Sequence, residues 1–183
     1  MEMLDVVDEN GDPTGRTVER VKAHTEGIRH RTSHVWIYRL SDDSIQILLQ
    51  KRSDDKDSYP GCYDISSAGH IPAGQDFIPS AIRELKEELG VDAAPEDLIF
   101  CGQRQFEFEE YFHGKDFKDN QVSNVYALSS DLSEESFRLQ KEEVSAVKWI
   151  DLDECVKDIK EGSIPNCIFP DELEMVRSHI MKA

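Results

Sequence analysis

The chain has no pair of cysteines spaced to grip one ion. Cys62, Cys101, Cys155 and Cys167 stand apart, with no C-x-x-C. That excludes a zinc ribbon or a redox dithiol as a reading, and the four are expected to be reduced thiols packed as small hydrophobes. Basic charge is also scarce, with 21 Lys and Arg against 38 Asp and Glu and a net charge of −17. The strongest basic cluster is "IRHR", residues 28–31. Such a surface repels a nucleic-acid polymer, so an anionic substrate has to arrive with divalent cations or meet them on the protein. No apolar run approaches the ~20 residues of a membrane span. The stretch "MEMLDVVDENGDP" carries no apolar signal-peptide core. The expected address is cytoplasmic, with no membrane partner. No repeat or low-complexity linker divides the 183 residues, which suits one domain over 1–183.

What is present is a mixture of strand and helix patterns. "MLDVVDENGDPTGR" reads as a strand, a turn at Asn10-Gly11 and a second short strand. "SHVWIYRL" and "SIQILLQKR" are strong strands with "SDD" as the turn between them, and residues 53–61 read as a loop. "CYDISSAGHI" reads as a strand running into a glycine turn. A helix is expected over 77–89, capped by Asp76, tolerating Pro79 in its first turn and ending at Gly90. "DLIFCGQRQFEFEEYF", "QVSNVYALSS" and "EVSAVKWI" are further strands, and "DLDECVKDIKEG" and "PDELEMVRSHIMK" are amphipathic helices. The fold class expected is α/β (α+β), a mixed sheet sandwiched between helices.

The 77–89 helix has an unusual charge pattern. At ~100° per residue, Ile78, Ala81, Ile82, Leu85 and Leu89 form an apolar stripe. Glu88, Glu84 and Glu87 follow as one arc beside it, with Glu88 nearest the buried edge. Like charges three or four residues apart destabilise a helix by roughly 0.2–0.5 kcal/mol per pair. Either solvent dilutes the cluster or a cation fills it.

The residues before the helix extend the pattern. Gly69, five residues, Gln75, seven residues and then "RELKEELGV" resemble the box of the Nudix superfamily. Gly69, Arg83, Glu84, Leu85, Glu87, Glu88, Gly90 and Val91 match, placing the box at 69–91, and Gln75 departs where the family usually has Glu. The resemblance implies the Nudix fold and a hydrolase of diphosphate compounds, nucleoside- or isoprenoid-like, using Mg²⁺ or Mn²⁺. It implies Glu87 and Glu88 as leading metal ligands, Glu84 as a ligand or water-activating partner, the Gly69 backbone as a further oxygen, and Arg83 in the catalytic machinery. Gln75 is expected to brace Arg83 as a neutral amide. Relatives of this kind are monomers or homodimers.

A second resemblance covers most of the chain. "AHTEGIRHRTSHVWIY", "LLQKRSDDKDSYPGCYDISSAGH" and "RLQKEEVSAVKWIDLDE" look like the Nudix branch related to isopentenyl diphosphate isomerase. It implies a second metal site at His24, His30 and His70, where the alternative is ordinary hydrogen bonding. It also implies that Arg52 and Lys56 contact phosphate, where the alternative is solvation. The isomerase's proton-transfer residues do not carry over. Ala68 stands where that family has Cys, and Asp119 and Gln121 stand where it has two acids. Isomerase-like activity and a non-catalytic diphosphate- or nucleotide-binding module are the rival readings. His34 and His113 are expected to carry no chemistry, and Trp36, Tyr59, Tyr63 and Trp149 to be core aromatics, where the alternative is stacking on a base or covering an apolar tail. The general base is open between Glu84, Glu142 and Glu143.

Overall fold

A computed structural model describes residues 1–41 and 44–181. The strand and helix patterns become, in order, β1 Met3–Val7, β2 Pro13–Glu19, α1 Arg20–Glu26, β3 His30–Ser41, β4 Ser44–Arg52, β5 Tyr63–Asp64, β6 Ser67–His70, α2 Phe77–Leu89, β7 Ile99–Phe112, β8 Lys115–Ser129, β9 Val144–Asp151, α3 Leu152–Glu161 and α4 Pro170–Ile180. β1 and β2 form an antiparallel hairpin. The rest build one mixed seven-stranded sheet around the order β5-β4-β3-β8-β7, with β6 on β3 and β9 on β4. β3 runs parallel to β8 and antiparallel to β4 and β6.

Alternation along the strands divides the core in two. Val35 and Ile37 on β3 and Leu48 on β4 turn to one face, where Ala81, Leu85 and Leu89 of α2 cover them. Trp36, Tyr38, Ile47 and Leu49 turn to the other, against Leu152 and Cys155 of α3 and Leu173 and Val176 of α4. Side chains such as Leu85 and Leu89 are fully buried, each worth roughly 1.5–3 kcal/mol of transfer free energy. The helices therefore sandwich the sheet as the patterning predicts. All four cysteines are free thiols, Cys101 and Cys155 buried and the other two half-buried. Among the described residues no helix is long and apolar enough to cross a membrane.

Three local expectations change. α1 was not expected, because only Ala23 of its residues is buried and it has no apolar stripe. "CYDISSAGHI" splits into β5 and β6, and Gly69 lies inside β6, paired with Ser33, rather than in a turn. Asp76 occupies the position before α2 but its side chain makes no capping bond. The "SDD" turn includes Asp42 and Asp43, which lie outside the described residues.

Candidate active site

α2 lays its acidic arc against β6. Glu88 is 6% exposed, and its carboxylate accepts a hydrogen bond from Ser67 Oγ at 2.7 Å. Burial is the main cause that pushes its pKa up to about 8; the negative charge of Glu84 adds to this and the Ser67 bond opposes it. Glu84 lies over the backbone of Gly69. A Cβ on Gly69 would come within 2.4 Å of the Glu84 carboxyl carbon, so only glycine admits this approach. Burial raises the Glu84 pKa as well, against the pull of Arg83. Glu87 is the exposed member of the three.

Arg83 forks between Glu84, at 2.7 Å, and Glu87, at 3.0 Å. The brace expected from the Gln75 side chain is not how Arg83 is held: Gln75 is exposed, and its backbone carbonyl instead accepts from Arg31 at 2.9 Å. Arg52 is tied to its own loop, donating to the Ser58 carbonyl at 2.9 and 3.1 Å and to Asp64 at 2.9 Å. Lys56, on that loop, pairs with Glu143. Its positive charge is a minor influence lowering the pKa of both Glu88 and His70. Glu142 is exposed.

His24, His30 and His70 do come together. One nitrogen from each lies within 4.8 Å of the others, and His24 Nε2 is 3.0 Å from His70 Nε2. The left-handed turn at Gly27, with φ of 68°, reverses the chain between α1 and β3 and so folds His24 back towards His30. His70 arrives by β6, which pairs it with Thr32. His30 Nδ1 is 2.8 Å from the Ile28 carbonyl. A donor bond there leaves the Nε2 lone pair facing the cluster.

A fourth group completes the cluster. Asp119 Oδ1 is 3.7 Å from both His24 Nδ1 and His30 Nε2, and all three atoms are buried without a hydrogen-bond partner. In the sequence Asp119 stands two residues from Gln121, with nothing local to join it to the histidines. The missing signal was the register of β8, which sets Gln121 opposite His30. Desolvation is the largest influence on every member. It lowers the His24 pKa to about 3, with His30 and Arg20 adding to the effect, lowers those of His30 and His70, and lifts Asp119 to about 6. The cluster thus sets three neutral imidazoles beside one carboxylate, with one atom each of His24, His30 and Asp119 left without a hydrogen-bond partner.

An aromatic wall adjoins it. Phe117 stacks on the His24 ring at 4.6 Å, Phe108 and Phe112 lie 6.0 and 5.6 Å from Phe117, and Tyr59 lies 4.8 Å from Phe112. These rings are half-buried, so Tyr59 belongs to this wall rather than to the core. Trp36 is a core residue, Tyr63 packs partly buried against the same cluster, and Trp149 lies under Arg39 at 4.3 Å. His113 is exposed with Nε2 near the Lys56 carbonyl, and His34 is buried against Glu172.

Comparison with known proteins identifies the family and the fold. Residues 30–169 match the NUDIX domain family. The chain is 45% identical over 157 residues to Nudix hydrolase 3 of Arabidopsis thaliana, covering 84% of this chain but only 20% of that much longer protein. An uncharacterised Nudix hydrolase of Clostridium acetobutylicum is 38% identical over 156 residues, covering 85% of this chain and 73% of the relative. Among solved structures, a Deinococcus radiodurans protein is similar over 97% of this chain and 99% of its own, with a TM-score of 0.67 at 21% identity. The NUDIX domain of Shewanella oneidensis NrtR, crystallised with ADP-ribose, gives 0.60 at 14% identity, covering 89% and 99%. This chain belongs to the Nudix family, whose hydrolases act on phosphoanhydride bonds.

Proposed function

We propose that this chain is a divalent-metal-dependent hydrolase, using Mg²⁺ or Mn²⁺, that cleaves a phosphoanhydride bond in a small nucleoside- or isoprenoid-diphosphate-like compound. One observation carries the reading: a half-buried and a buried carboxylate of one helix, Glu84 and Glu88, lie together, with Arg83 paired to the first and a serine hydroxyl donating to the second. Hard cations choose carboxylate and carbonyl oxygens, so Glu84, Glu87, Glu88 and the Gly69 carbonyl would hold them. Bound there, a divalent cation neutralises charge developing on phosphoryl oxygens and makes an attacking water more acidic. Arg83 aims Glu84 and Glu87. Lys56 offers a point charge to a diphosphate, while Arg52 serves by pinning the Lys56 loop. Glu143, held by Lys56, is a better placed base than the exposed Glu142. The aromatic wall of Tyr59, Phe108, Phe112 and Phe117 suits a flat or apolar group at the other end of the substrate.

His24, His30 and His70, with Asp119, are proposed as a second metal site. Three imidazoles and a carboxylate suit a borderline ion such as Zn²⁺, in contrast to the all-oxygen box. The three orphaned buried atoms support it, since a buried polar atom left unpaired costs about 1–3 kcal/mol.

The test is phosphate release from a panel of nucleotide and isoprenoid diphosphates with Mg²⁺. Turnover by wild type and its loss in Glu87→Gln are expected; equal inertness of both on every member sinks the hydrolase. The histidine cluster also favours an isomerase-like reading. Against it, Ala68 has no exchangeable proton, and both ends of the Gln121 amide are bonded. Incubation of isopentenyl diphosphate in deuterated water decides that point, with no exchange expected. Tight ligand binding without turnover would favour a binding module instead.

A further inference from the structure

β8 sends Asp119 and Gln121 to the same face of the sheet, two residues apart. Gln121 is 8% exposed. An amide has one donating and one accepting end, and here the surroundings assign both. Gln121 Nε2 donates to Asp119 Oδ2 at 2.6 Å. Gln121 Oε1 accepts from Thr32 Oγ1 at 3.1 Å and from Ser123 Oγ at 3.5 Å. A flipped amide would set its oxygen against the Asp119 carboxylate, two acceptors with no proton between them.

The row behind the amide is anchored. Thr32 Oγ1 is 2.6 Å from Ser123 Oγ and 3.4 Å from His34 Nε2. His34 Nδ1 bonds Glu172 of α4 at 3.0 Å. Glu172 is 1% exposed and also accepts from Trp36 Nε1 at 2.8 Å and Arg104 Nη1 at 2.7 Å. The row thus runs from a buried ion pair under α4 to one oxygen of Asp119. The other oxygen, Oδ1, is left bare beside His24 and His30.

We propose that Gln121 is a positioning residue: it clamps one oxygen of Asp119 so that the other is presented to His24, His30 and His70 as a fourth metal donor. This rests on the second metal site proposed above. The residue type fits the role, since a glutamate at 121 would set a second carboxylate against Asp119, whereas an amide can donate.

The test is Co²⁺ titration of the purified chain, followed by visible absorption, with His24→Ala identifying the band of the histidine site. In Gln121→Met the shape is kept and the donor is lost. Removal of such an outer partner weakens metal binding by roughly 10–100-fold, and the cobalt band should shift as the carboxylate swings. Thr32→Val frees the other end of the amide and should weaken cobalt less, with Thr32→Ser restoring it; this pair keeps the test alive if Gln121→Met does not fold. Cobalt affinity within twofold of wild type and an unshifted band in both Gln121→Met and Thr32→Val overturn the inference. So does a lowered melting temperature of the metal-free protein with unchanged cobalt affinity, which is what a merely structural role would give. A wild type with no cobalt band that depends on His24 overturns the metal site itself, and this inference with it.

Discussion

Replacing Glu88 by Gln should make the metal-free protein more stable at pH 8 and unable to use the metal that stabilises wild type. Glu88 is buried with one hydroxyl partner, and its pKa rises from 4.5 to about 8. In that pH range the folded state holds a proton that the unfolded chain has released. Stability is therefore greatest below the unfolded value and falls as pH rises towards 8. At roughly 1.4 kcal/mol per pH unit the loss approaches about 5 kcal/mol. Gln keeps the acceptor for Ser67 and never ionises, but it buries an amide N–H, at about 1–3 kcal/mol. A net gain of about 2–4 kcal/mol remains, which for a chain of this size is roughly 5–15 °C in Tm. At pH 5 the gain should disappear and turn into a loss of up to about 2 kcal/mol, because wild-type Glu88 is then neutral in the fold and the cost of the buried amide remains. Millimolar Mg²⁺ should raise the melting temperature of wild type at pH 8 and leave Glu88→Gln unmoved. Paired melting curves at both pH values, with and without Mg²⁺, measure this, and other titrating groups cancel in the difference except those that feel Glu88. Equal pH slopes for the two proteins would mean that Glu88 is not held protonated in the fold, and a Mg²⁺ response retained by Glu88→Gln would mean that it is not a metal ligand.

Other substitutions separate chemistry from folding. Glu87→Gln should abolish Mg²⁺-dependent turnover yet shift stability by no more than about 0.5 kcal/mol, because Glu87 is exposed and its i,i+4 pair with Arg83 is a surface one; a phosphate-release assay beside a melting curve reads both. Gly69→Ala should leave a folded protein with Mg²⁺ affinity and turnover reduced at least tenfold, since the added Cβ displaces the Glu84 carboxylate; isothermal titration with Mg²⁺ checks it, and wild-type affinity contradicts it. Glu172 tends to be pushed up by burial, but His34, Arg104 and Trp36 together hold it below the ordinary carboxylate range. Glu172→Gln leaves those donors short of a charge and should destabilise by about 3 kcal/mol or more, read as a shift of the urea midpoint.

How far the sequence was legible depended on whether a signal was local. α2, from Phe77 to its end at Gly90, followed from apolar spacing and a glycine stop, and its acid arc was visible because helical geometry fixes neighbours three and four apart. β3 and β4 were legible because their runs of apolar residues are buried on both faces. α1 was not, since a helix whose exposed face includes Val21 carries no periodic stripe. Gly69 looked like a turn glycine; its real reason is the carboxyl group of Glu84 lying over it, a contact between two elements that spacing cannot encode. The histidines were visible as residue types, but Asp119 joins them only through the parallel register of β3 with β8. Likewise Arg52 matched a phosphate-gripping position, and only the structure reveals its tie to Ser58 and Asp64.

The acid arc of α2 either holds divalent cations against a diphosphate or it does not. Crystals grown or soaked with Mn²⁺ and a non-hydrolysable diphosphate, measured at the manganese absorption edge, address it most directly. An anomalous peak is expected among the carboxylates of Glu84, Glu87 and Glu88 and the carbonyl of Gly69, in contact with the diphosphate. Clear density for those side chains with no anomalous signal between them, while the diphosphate is bound, would contradict the account.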